Sequence, residues 1–151
     1  MKKSQDEVRS VAKEKPKVEE SDLSKLTYLK MIIKEGLRLH PPVPLLVPRE
    51  TTERCTVGGY EIPSQPRVLV NVKVIGKDLA YWENPSEFRP ERFADGSFAV
   101  PLVELALANL LHRFNWALPG VREEDIDMDE AFGLTMHKKI PLCLIASPAN
   151  I

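Results

Sequence analysis

The sequence is short of the residues on which most recognisable chemistry depends. It has only two cysteines, Cys55 and Cys143, far apart and in no CxxC or zinc-ligand spacing. That usage suits a reducing compartment and leaves a disulfide open. Its three histidines, His40, His112 and His137, form no HExxH, and there is no GxSxG, P-loop or GxGxxG. Neither sign of charge prevails: 21 Lys and Arg face 22 Asp and Glu, for a net charge of -1. Such a balance gives no footing for nucleic acid or an anionic membrane surface. No run approaches the roughly 20 apolar residues needed to span a bilayer. The opening "MKKSQDEVRSVAKEKPKVEE" also lacks the apolar core of a signal peptide or anchor.

What is present fits one modest domain with a core of its own. Most of the 13 prolines lie between residues 41 and 101, which predicts a middle rich in turns. Residues 4–13 read as a short polar helix ended near Pro16, and "KEKPKVEE" reads as a solvated, charged connector. From Ser24 to Leu39 the period is helical: Leu26, Leu29, Ile33 and Leu37 form one apolar stripe, with Ser24 or Thr27 as the cap. Pro41-Pro42 ends that helix, because a residue before proline is pushed out of the α region.

The period then changes. Thr52, Arg54 and Thr56 alternate with Glu53, Cys55 and Val57 before Gly58-Gly59, which predicts a β-hairpin. A further strand is expected where Val68, Val70, Val72 and Val74 share a face. "DLAYWENPSEFRPERF" is a proline-pinned irregular stretch. Residues 98–112, "FAVPLVELALANLLH", are apolar on nearly all sides apart from Glu104 and Asn109, so burial within a larger protein is expected. Strands are expected again in "FNWAL" and "KKIPLCLIA", the latter holding Cys143. Asp125, Asp127 and Asp129 have the spacing that opens a calcium loop. However, Glu130 stands where glycine is needed and Met136 where the closing glutamate is needed, so a solvated acidic loop is the reading.

Glu35 and Arg38 sit at i and i+3 on one helix face, and "FRPERF", from Phe88, adds a second guanidinium on Arg92. An Arg–Glu–Arg network of that kind can be bidentate and buried. With this combination the chain resembles the cytochrome P-450 family of haem-thiolate monooxygenases, in wording closest to plant enzymes of secondary metabolism. "YLKMIIKEGLRLHPPVPLLVPRE" resembles the family's ExxR helix and following strand, and "YWENPSEFRPERF" its PERF region. "VPLVELALANLLHRFNW" resembles the long helix behind the haem, and "AFGLTMHKKIPLCL" the last β-hairpin.

The resemblance implies an α+β, mainly helical fold, a C-terminal fragment of the cytochrome P-450 fold. Its parts would be a charged helix and linker (1–20), then the ExxR helix, β-sheet and PERF region (21–93). The buried helix and closing hairpin (98–151) would complete it. By the same resemblance Glu35, Arg38 and Arg92 form a structural triad, and Arg49 meets a haem propionate. Val43, Pro44, Leu45 and Leu46 would line a substrate pocket, with Gly133, Leu134 and Thr135 as a second wall. The implied cofactor is haem, and the implied partners are NADPH-cytochrome reductase and a small hydrophobic substrate. The implied setting is the cytosolic face of the endoplasmic reticulum membrane. The family's oxygen-activating helix and membrane anchor would precede residue 1.

One departure bears on chemistry. Members carry a cysteine in an FxxGxRxCxG loop between the PERF region and the long helix, and its thiolate is the axial iron ligand. Here only Ala94-Asp95-Gly96-Ser97 separate Phe93 from Phe98, with no cysteine, FxxG or RxC. The expectation is a chain inactive by itself. The alternatives are a non-catalytic partner of a full-length relative, associating through residues 98–112, or a gene-model or splicing product. Cys55 and Cys143 are assigned structural roles, and His112 is a remote candidate for iron.

Overall fold

Ser4, Val8 and Ala12 recur at four-residue spacing, and that row is the buried face of the first helix, α1 (Lys2–Ala12). The computed structural model describes residues 1–13, 15–94, 101–120, 122–131, 133 and 135–149. These fall into two compact units. The first comprises Met1–Gly36, Phe88–Glu130 and Lys138–Ile151, and the second Leu37–Glu87 and Ala131–His137.

In the first unit a 3-10 turn (Glu20–Lys25) leads into α2 (Thr27–Leu39). A later helix, α4 (Pro101–Arg113), packs against α1 and the 3-10 turn. Their core is continuous: Val8, Ala12, Val18, Leu23, Leu26, Leu29, Ile33, Ala108 and Leu111 are buried, with Val11, Leu105, Leu107 and Trp116 packed around them. Each fully buried valine, leucine or isoleucine among them contributes on the order of 1.5–3 kcal/mol by leaving water. The connector after α1 is therefore not simply solvated. Val18 is buried, and Asn109 clamps its backbone, accepting from its N–H at 3.0 Å and donating to its carbonyl at 3.1 Å. Val18 has an apolar side chain to bury, whereas its charged neighbours stay wet.

The start of α2 corrects the expected caps. Ser24 Oγ donates to the Ser21 carbonyl, and Thr27 Oγ1 donates to Glu7. The acceptor for the first-turn amides is Glu7, from α1. Of the expected stripe, Leu26, Leu29 and Ile33 are buried, but Leu37 is exposed.

Helix α4 carries the apolar stretch expected to be buried within a larger protein. Its buried residues are Glu104, Ala108, Leu111 and His112, one stripe at helical spacing, while Leu102, Val103 and Leu110 face solvent. It is covered on one side, not all round, and the covered side includes two polar groups. His112 Nε2 lies 3.0 Å from the Lys15 carbonyl. Just past the helix end, the Phe114 carbonyl accepts from Gln5 and Arg9 of α1, each at 3.2 Å. These donors serve the carbonyl-rich end that a helix leaves unpaired. Phe114 begins a strand (Phe114–Ala117) that pairs antiparallel with Ile145–Pro148, Trp116 facing Ala146. Cys143 therefore lies before the strand, and it is exposed and free.

In the second unit Arg49–Glu50 pairs antiparallel with Arg67–Val68, and Cys55–Val57 with Tyr60–Ile62. The latter hairpin turns at Gly58 and Gly59, with φ of +58° and +85°, as the left-handed geometry of a tight hairpin demands. The strand expected through Val74 stops at Val68. Residues Val72–Ile75 form a helical turn, α3, because the Asn71 side chain accepts from the Val74 N–H at 3.1 Å and caps it. Glu130–Ala131 and His137–Lys138 are paired as the closing hairpin.

Candidate functional site

Glu35 lies on α2 just beyond the buried Ile33 and is itself fully buried. Its Oε1 accepts from the Arg89 N–H at 2.9 Å, and Arg92 Nε lies 3.4 Å from the same oxygen. The turn that delivers Arg92 is a 3-10 helix (Pro90–Phe93), for which Pro90 pre-sets φ at the first position. A surface contact flanks it. Lys3 Nζ lies 3.1 Å from Glu91 Oε1, both exposed. The Glu91 carboxyl is held below the usual range by a backbone hydrogen bond at its own residue and then by Lys3.

Arg38, in the second unit, is buried and turned onto backbone. Its Nη1 donates to the carbonyls of Gly76 at 2.5 Å and Pro85 at 2.8 Å, and Nη2 to Glu87 at 3.1 Å. Its guanidinium also stacks 5.0 Å from the Trp82 ring centroid. A planar five-donor group spreads its donors over separate nitrogens in a rigid fork, which lets Nη1 and Nη2 divide three carbonyls of an irregular, proline-bearing segment between them.

The two segments that carry the expected pocket residues are linked in the second unit, although they are distant in sequence. Val43, Pro44, Leu45 and Leu46 form a turn closed by Leu46 N–H to Val43 O at 3.1 Å, with Leu46 at φ +54°. Left-handed backbone at a leucine is a strained conformation that the surrounding bonds must hold. Here Val70 N–H donates to Leu45 O and Lys73 N–H to Pro44 O, both at 3.3 Å. The last hairpin joins the same turn, where Met136 N–H donates to Pro42 O at 2.7 Å. Gly133 and Thr135 lie in the segment that this bond anchors, while Leu134 is outside the described residues, as are Asp95, Gly96, Ser97 and Phe98 of the short joint. Leu45 is exposed and Val43, Pro44 and Leu46 are half-buried. Arg49 is exposed on its strand.

Sequence reasoning missed a recess in the first unit of about 880 Å³, lined by Phe88, Trp116, Leu118, Ile126, Leu142 and Leu144 among others. None of the expected pocket residues lines it. Its walls come from short, separate stretches of chain, so no local pattern announces it.

Haem, which the motifs imply, needs a donor set that can be checked against these positions. An exposed Arg49 suits a carboxylate, but the chain supplies no thiolate where one is needed. Cys55 is half-buried in a hairpin strand and Cys143 is exposed in the other unit. His112 is wholly buried beneath the first unit's core with Nε2 against a carbonyl. Among the described residues no cluster of three His, Cys, Asp or Glu could hold a metal ion. The residues present do not fit a haem-thiolate centre.

A family model described as cytochrome P-450 matches residues 1–100. Strychnine-11-hydroxylase of Strychnos nux-vomica is 53% identical over 97% of this chain and 34% of its own length. Cytochrome P-450 71A9 of Glycine max is 52% identical over 98% of this chain and 35% of its own. A zebra fish cytochrome P-450 solved with abiraterone superposes with a TM-score of 0.84 at 25% identity, covering 99% of this chain and 39% of that one. The chain thus spans about a third of the length of the curated relatives it matches. The first alignment occupies 171 positions, whereas 97% of 151 residues fills only about 146, so about 25 positions of that relative face no residue here. With the family model matching two-thirds of its length and the fold matching throughout, the chain belongs to the cytochrome P-450 family.

Proposed function

We propose that this chain carries the structural brace and the substrate-facing turns of a plant haem-thiolate monooxygenase, and that by itself it does not perform that reaction. The family reaction inserts oxygen from O2 into a small hydrophobic metabolite, with electrons from NADPH-cytochrome reductase. The name of the Strychnos relative, a hydroxylase, supports that class. Within it, Glu35 and Arg92, with Arg38, hold the scaffold. Arg49 is the candidate for a haem propionate. The Val43–Leu46 turn and the Gly133–Thr135 tip are the candidate pocket walls. The family setting on the endoplasmic reticulum belongs to the same proposal.

The observation that carries the second half is the missing stretch. About 25 positions of the relative have no counterpart, and the four-residue joint between Phe93 and Phe98 is where we place them. An axial thiolate supplies the electron push that cleaves the O–O bond, and no cysteine lies there. The test is to titrate the purified chain with haem, reduce it and add carbon monoxide. The expected result is no red-shifted, thiolate-type Soret band, and the appearance of such a band overturns the proposal.

A second reading, a non-catalytic partner of a full-length relative, is favoured by the solvent-facing Leu102, Val103 and Leu110 of α4. Size exclusion and pull-down against such a relative test it; a monomer that captures nothing counts against it. Transcript reads across the Phe93–Phe98 joint would separate both readings from a gene-model or splicing product.

A further inference from the structure

The helix that carries Glu35 begins without a cap of its own. The residue before Thr27 is Leu26, a buried leucine with no side-chain acceptor, and the first turn of α2 contains no acidic residue. The amides of Tyr28 and Leu29 precede the first intrahelical bond, which runs from Lys30 N–H to Leu26 O at 3.3 Å. They are the donors that every helix leaves over at its start. Both are met by one carboxylate from another helix: Glu7 Oε1 accepts from Tyr28 N–H at 2.8 Å and Oε2 from Leu29 N–H at 2.9 Å. The Thr27 hydroxyl adds a third donor to Oε1 at 3.1 Å. One turn earlier on α1, Lys3 sits 3.8 Å from the Tyr28 ring centroid and reaches Glu91. Residues 3 and 7 thus touch both segments whose meeting forms the buried pair, α2 with Glu35 and the turn with Arg92.

We propose that Glu7 is the positioning residue of the Glu35 helix, a remote N-cap that sets α2 so that the Glu35 carboxylate meets the Arg89 amide and Arg92. The charge stands at the positive end of the helix dipole, where an anion is favoured. Its two oxygens separate the roles of a local and a borrowed cap. A local cap side chain bonds one first-turn amide and moves with its helix. Glu7 bonds two, and it fixes α2 against α1. Lys3 adds little, since an exposed pair of this kind contributes little to stability. The inference rests on geometry within the first unit and not on whether the chain binds haem.

The test is amide hydrogen exchange on the full 151-residue chain. Because Tyr28 and Leu29 have no helical acceptor, their protection reports the Glu7 carboxylate itself. Glu7→Ala is expected to lower protection at both amides about tenfold beyond any global loss, as removal of a cap does. Glu7→Gln keeps one acceptor oxygen, and should expose one of the two amides while retaining the fold. Val8→Ala, on the same helix but in the core, serves as the packing control and should lower protection evenly. The Arg89 amide, bonded to Glu35, should lose protection in Glu7→Ala alongside Tyr28 and Leu29. If both Glu7 variants leave Tyr28 and Leu29 as protected as Val8→Ala does, the cap is refuted. If those amides open while Arg89 is unchanged, the positioning role is refuted.

Discussion

Arg92 Nε lies 3.4 Å from Glu35 Oε1, and both side chains are almost wholly shut off from water. A pair in such surroundings is costly to assemble and costlier to break, because removing one partner takes from a buried charge a group that offsets it. It is a constraint on structure more than a source of stability.

Glu35→Ala should therefore destabilise the chain by about 3–5 kcal/mol, since it removes the buried carboxylate that Arg92 and the Arg89 N–H both meet. Glu35→Gln should cost less, because the amide oxygen can still accept from Arg89. Urea unfolding followed by tryptophan fluorescence reads both. A loss below about 1 kcal/mol for the alanine variant would contradict a buried, compensated pair.

Two glycines predict opposite outcomes. A Cβ on Gly76 would stand 2.5 Å from the Arg38 carbonyl oxygen and 3.2 Å from that of Val72, both backbone atoms. Gly76→Ala must push the segment that Arg38 grips, at a cost of about 1–3 kcal/mol. Gly36 lies inside α2, and a Cβ added there would meet nothing within 4 Å. Gly36→Ala should stabilise by about 0.5–1 kcal/mol, through helix propensity alone. Thermal unfolding of the two variants should move in opposite directions.

Asp22 sets a pH dependence. Both of its oxygens accept from Lys15 Nζ at 2.9 Å, and the Glu19 N–H donates to it at 3.2 Å. The Lys15 hydrogen bond first, and the Glu19 amide second, hold its carboxyl below the usual range. A carboxyl depressed in the folded state contributes stability above its unfolded pKa, and that contribution is lost as pH falls through the depressed folded value. Lys15 is raised, mainly by the same hydrogen bond, so its share is present below the usual lysine range and lost as pH climbs through the raised value. Asp22→Asn should flatten the acid limb of a stability-against-pH curve. An unchanged limb would show that the acid sensitivity arises elsewhere.

Much of the fold could be read from local pattern. The helix from Thr27 follows from apolar residues at three- and four-residue spacing ended by Pro41-Pro42. The Cys55–Ile62 hairpin follows from two glycines that tolerate positive φ. The ion pair of Glu35 with Arg92 was legible only through the family's motif order, because 57 residues separate the partners. The strand expected through Val74 was misread because β-branched residues favour strands while one asparagine, Asn71, can cap a turn of helix instead.

By itself the sequence determined the three longer helices, the glycine turn at residues 58 and 59, which family's motifs the chain carries and that no cysteine lies between Phe93 and Phe98. All of these depend on neighbours within a few residues or on mere presence. Only the tertiary structure decided which face of α4 is covered, so that Glu104 and His112 lie inside while Leu102 and Leu110 face water. It alone decided that Glu7 caps a helix 20 residues away and that Asn109 holds the backbone of Val18, 91 residues back. The reason is that a hydrogen bond or a buried face is chosen by whatever surface the folded chain brings within about 3–4 Å, and sequence separation does not enter that choice.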